Sequence, residues 1–64
     1  MTITHIEFKE NEGFGLYQIN GRGPWRTPYK TDSLVPNGEY PITQNGKVVG
    51  RWVQRWFGHE LKAA

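Results

Sequence analysis

Asn45-Gly46-Lys47-Val48-Val49-Gly50-Arg51-Trp52-Val53-Gln54-Arg55-Trp56-Phe57 decides how the chain folds, because it opens on a hairpin signal and runs into arginines interleaved with tryptophans. A two-residue type I′ turn needs positive φ at both central positions, and Asn-Gly tolerates that best. Strands are therefore predicted on both sides of Asn45-Gly46, with Gln44 opposite Lys47, Thr43 opposite Val48, Ile42 opposite Val49 and Pro41 opposite Gly50. In this register Pro41 falls on a non-hydrogen-bonded pair, so its missing N–H points away from the partner strand. The far side of strand 39–44 is then a sheet edge or lies under a loop, which makes the hairpin peripheral.

Beyond Gly50 two readings compete. On a helix, Val49, Trp52, Val53, Trp56, Phe57 and Leu61 recur on one face at the 3.6-residue period, Arg51, Gln54, Arg55 and Glu60 lie elsewhere, and the ending ELKAA is good helix-forming composition. On a strand, Trp52, Gln54 and Trp56 oppose Arg51, Val53, Arg55 and Phe57, which separates no clean apolar face. Periodicity favours a short C-terminal helix, although Gly58 within it costs about 1 kcal/mol.

Working outward, Thr2 to Lys9 is rich in β-formers, and the Gly that closes Glu10-Asn11-Glu12-Gly13 lets Phe14 to Asn20 return as the second strand of a hairpin. Phe14, Leu16 and Gln18 alternate with Gly15, Tyr17 and Ile19, so both faces carry apolar groups and an interior position is expected. Asn20-Gly21-Arg22-Gly23-Pro24 breaks the pattern and starts an irregular loop carrying Trp25, Arg26, Tyr29 and Lys30. Thr31, Asp32 or Ser33 could cap a single helical turn before Pro36 stops it. The fold class expected is α+β, mostly β: a small antiparallel sheet of two hairpins with a short C-terminal helix over residues 50–63. The alternative is an all-β small barrel in which residues 47–57 form a strand.

Sixty-four residues make a single small domain, residues 1–64, which buries only about 60% of the surface its unfolded chain exposes. There is no Cys, and two His are too few for a structural zinc site, so neither disulfide nor metal staples the fold. Stability must come from the core, in which aromatics substitute for scarce aliphatics, or from a second copy in a homodimer. No signal-like segment and no apolar run near 18 residues is present, so a cytoplasmic protein without membrane contact is expected.

Catalysis is not expected. Ser33 is the only Ser, no base is identifiable beside it, and the glycine pairs lack dinucleotide or phosphate-loop spacing. No cofactor is called for, and His5 and His59 read as surface residues. Charge carries more information: residues 1–20 set Glu7, Glu10 and Glu12 against Lys9, whereas residues 21–64 set seven Lys and Arg against Asp32, Glu39 and Glu60. The later part of the chain should meet a polyanion or an acidic protein patch.

Two functions use that basic part. A nucleic-acid-binding accessory protein would use Arg22, Arg26, Lys30, Lys47, Arg51 and Arg55 on phosphates, with Trp25 and Tyr29 stacking on bases. An inhibitor or adaptor would instead anchor Trp25 with Arg51 and Arg55 in a protein partner. A net charge of only +2 limits how many phosphates the chain can neutralise. Trp52 and Trp56 are read as core, leaving Trp25 as the exposed ring.

The ending NGKVVGRWVQRWFGHELKAA is similar to the tail of small phage restriction-alleviation proteins, which also place a Gly-Lys, a Trp and a Glu-Leu before a lysine- and alanine-rich end. The similarity covers at most a third of the chain, and the cysteines found earlier in that family are missing here. It implies a phage- or mobile-element-type accessory protein and carries over no residue or activity.

Overall fold

X-Gly pairs set the sheet. In the computed structural model, which describes residues 2–28 and 34–63, Glu12 and Gly13 turn at φ 52° and 85°, Asn20 and Gly21 at 57° and 66°, and Asn45 and Gly46 at 52° and 81°. Positive φ at both positions is the type I′ signature, whose twist matches that of the flanking strands. The first pair joins β1 (Ile6–Asn11) to β2 (Phe14–Ile19), and the third joins β3 (Gly38–Gln44) to β4 (Lys47–Arg55). The second returns the chain along β2, where the Tyr17 and Arg26 backbones exchange two hydrogen bonds of 2.9 Å. The stretch expected to be an irregular loop therefore begins as a turned-back strip on the edge of β2.

β5 (Gly58–Ala63) completes a five-stranded sheet in the order β2-β1-β3-β4-β5. All neighbours are antiparallel except β1 and β3, which run parallel through Ile6 against Ile42 and Glu7 against Thr43. The expected wholly antiparallel sheet is thus corrected to a mixed one, curled into a half-barrel. Glu7 locks the parallel joint: its carboxylate accepts from the Thr43 hydroxyl and, at 2.9 Å, from the Asn45 N–H.

No helix occurs among the described residues, so the expected C-terminal helix is overturned. Residues 47–55 are a strand, as the barrel alternative had it, and the chain turns again at Trp56-Phe57 into β5. The missing apolar face that argued against a strand has a physical reason. β4 is interior to the sheet, and both of its faces are covered in the middle: Trp52 on the concave side and Val53 on the convex side are each fully buried.

The β3–β4 register also departs from expectation. Gln44 opposes Lys47 and Thr43 opposes Val48, but a bulge then shifts the ladder so that Ile42 meets Gly50 and Pro41 meets Arg51, leaving Val49 as the extra residue. β3 has strands on both sides, so the hairpin is not peripheral. Pro41 precedes the first β1–β3 pair, where its missing donor removes no rung.

The core lies on the concave side, where Ile6, Tyr17, Val35, Ile42 and Trp52 are buried and Ile3, Phe8, Ile19, Leu34 and Tyr40 pack against them. Tyr17 on β2 and Trp52 on β4 stand with ring centroids 5.0 Å apart although two strands separate them in the sheet. Only curling brings them together. Aromatic area thus supplies the core that the few aliphatics cannot.

Candidate binding surface

The β4–β5 turn is built unlike the others. Trp56 and Phe57 occupy it without positive φ, Gly58 follows at φ 142°, and both rings stand in solvent, 82% and 67% exposed. They meet edge to face at 5.2 Å. The expectation that Trp56 is core is therefore wrong: the helical period that grouped it with Trp52 spans a turn, so the two rings lie in different environments.

What holds this tip is buried. Gln54, with no solvent exposure, accepts the Trp52 indole N–H at 3.0 Å and donates its amide to the carbonyls of Arg55 and Gly58 at 3.0 and 3.1 Å. Those two carbonyls flank the turn, so a core side chain clamps both of its ends. The His59 ring stacks on Trp52 at 4.6 Å and 15°. A continuous set of contacts from Tyr17 through Trp52 to Gln54 and His59 thus supports two exposed rings from behind, with exposed Arg55 beside them.

The residues expected to bind are scattered over the fold. Arg51 and Arg55 share the convex face of β4, not a helical face, and four residue steps along the strand separate them by about 13 Å. Arg51 is paired with Glu39 at 3.5 Å. Lys47 is exposed at the other end of β4, beside the Asn45-Gly46 turn. Trp25 is half-buried with the Lys9 ammonium 4.3 Å from its ring centroid, so it is not the open ring expected. Tyr29 and Lys30 lie outside the described residues.

Arg22 and Arg26 do come together, along an open groove of about 570 Å³ that also takes in Thr4, His5 and Asn20. Its floor is pinned by the Asn20 amide, which accepts the Thr4 N–H at 2.7 Å and donates to the Thr2 carbonyl at 2.9 Å. Gln18 donates to the Gly23 carbonyl at 2.7 Å, holding the return loop. Beneath the loop, burial pushes the Tyr17 phenol above its ordinary pKa, and the Arg26 charge pulls it partly back.

On the convex face the cross-strand rows alternate in sign. Arg51 faces Lys62, the next row sets Glu39 and Glu60 either side of Val53, and Arg55 follows. Positive charge there forms no continuous track. Among the described residues no cluster of three or more His, Cys, Asp or Glu could hold a metal, and no helix is long and apolar enough to cross a membrane.

Sequence reasoning missed Trp56 and Phe57. The available signal was Trp-Phe-Gly followed by His-Glu-Leu-Lys, two bulky residues before a glycine and a short alternating strand. No family model, no curated protein and no solved structure matches the chain.

Proposed function

We propose that the protein is a small non-enzymatic binding module that anchors a protein partner through the β4–β5 hairpin tip. The observation that carries this reading is the exposure of Trp56 and Phe57 on a turn clamped by buried Gln54. Two large rings held in water are unfavourable for an isolated domain and favourable once buried in a pocket. Trp and Arg dominate the energetics of protein interfaces, and Arg55 beside the rings favours an acidic rim on the partner. A preformed tip also loses little conformational freedom on binding. These properties suit an inhibitor or adaptor that fills a pocket on a larger host assembly, in keeping with an accessory role of phage or mobile-element type.

A second reading, binding of single-stranded nucleic acid, is favoured by the groove that brings Arg22 and Arg26 beside His5. The alternating rows on the convex face weigh against an extended phosphate track, which is why the protein partner is preferred.

The two are separated by capture of partners from host lysate with and without nuclease, using the wild type, Trp56→Ala, Phe57→Ala and Arg22→Ala/Arg26→Ala. The expected result is a stoichiometric protein that survives nuclease treatment and is released by either ring substitution. Retention by both ring variants overturns the proposal. Binding that nuclease abolishes, that falls steeply with salt and that needs Arg22 and Arg26 establishes the second reading instead.

A further inference from the structure

β5 ends the sheet, and among the described residues no strand pairs with its outer edge. Arg55 and Gly58 flank a two-residue turn and form a hydrogen-bonded pair, so along β5 Glu60 and Lys62 direct their backbone groups to β4. Leu61 and Ala63 direct theirs outward. The edge carries neither proline nor bulge to block a further strand.

Side chains on this edge select what can pair with it. Glu60 and Lys62 project from the convex face, and neither forms an ion pair with another described residue. Lys62 sits directly across from Arg51, a like-charge contact, whereas Glu60 sits across from Val53. Leu61 projects from the opposite face and is 46% exposed despite its apolar character.

We infer that β5 pairs antiparallel with β5 of a second copy of this chain, about a two-fold axis through Leu61. That register sets Leu61 against Leu61 of the copy and lets their outward N–H and C=O groups bond mutually. It also sets Glu60 against Lys62 of the copy, and Lys62 against its Glu60. Lys62, which otherwise faces Arg51, gains a carboxylate on its other side.

Charge also rejects the neighbouring registers. A slip that sets Leu61 against His59 of the copy brings Glu60 onto Glu60, and a slip that sets Leu61 against Ala63 brings Lys62 onto Lys62. Only the register centred on Leu61 pairs opposite signs. The dimer is a ten-stranded sheet that carries its two Trp56-Phe57 tips at opposite ends.

The test is sedimentation equilibrium of the full chain at low salt, over a concentration series reaching about 1 mM. The wild type should dimerise, Glu60→Lys and Lys62→Glu should each weaken dimerisation about tenfold or more, and the double exchange should restore it. Lys62→Glu also relieves the contact with Arg51, so its monomer should unfold no more easily than the wild type. Trp56→Ala should leave dimerisation unchanged, which separates this surface from the hairpin tip. A wild type that stays monomeric throughout, single variants that dimerise like the wild type, or a double exchange that stays monomeric each overturns the proposal.

Discussion

Tyr17 sits at the centre of the core with a cost attached. Its ring is fully buried against Trp52, and its hydroxyl has no hydrogen-bond partner among the described residues. A buried unpaired hydroxyl costs about 1–3 kcal/mol, whereas the ring contributes packing area that phenylalanine would keep. Tyr17→Phe should therefore leave stability at neutral pH unchanged or raise it by up to about 1 kcal/mol in urea denaturation. The pH dependence follows from the direction of the shift. Burial raises the phenol above its ordinary 10.0, so the unfolded chain gives up this proton first. The contribution is intact below pH 10.0 and is lost as pH climbs through the raised value. The wild type should thus lose more stability than Tyr17→Phe in this alkaline range. A difference between the two that stays constant with pH would show that Tyr17 ionises equally well in both states. Nothing in the residues around Tyr17 in sequence signals this, because the ring it packs against, Trp52, lies on β4, with two strands between them in the sheet.

β4 is the element on which the fold turns, and at Gly50 it has no room for a side chain. A side chain there would run into the Lys62 backbone carbonyl on β5, and backbone cannot swing aside as a flexible side chain can. Gly50→Ala should cost about 1–3 kcal/mol, measured as a lowered urea midpoint, and should loosen β5 first, seen as faster amide exchange at residues 59–63. Unchanged exchange in β5 would mean that the ladder accommodates the added methyl group without opening. The hairpin at Asn45-Gly46 was legible because φ preference is a local property, and its first two cross-strand pairs follow from turn geometry alone. The bulge at Val49 was not legible, since the need for a glycine at Gly50 comes from β5. The helical reading failed for a related reason: a central strand with both faces covered mixes its apolar residues and can imitate a 3.6-residue period.

Across the whole molecule, Trp52 and Trp56 divide into a structural and a presented ring. Trp52 has no exposure and touches Tyr17, Gln54 and His59, whereas Trp56 stands in solvent in the turn that follows the same strand. Trp52→Ala should cost about 3–5 kcal/mol, enough to unfold a domain of this size at room temperature. Trp56→Ala should change stability by less than about 0.5 kcal/mol while making the remaining fluorescence harder for acrylamide to quench. A large loss of stability in Trp56→Ala would assign that ring to the fold and remove it as an anchor. By itself the sequence determined the turns at Glu12-Gly13 and Asn45-Gly46, the β-rich class, the reliance on aromatics and the lopsided charge, all of which depend on local backbone preference or on composition. The parallel joint of β1 with β3, the curl that joins Tyr17 to Trp52, the dispersal of the arginines and the exposure of Trp56 and Phe57 were decided only in the tertiary structure. Each depends on which distant strand lies alongside, and a side chain's burial is set by that neighbour.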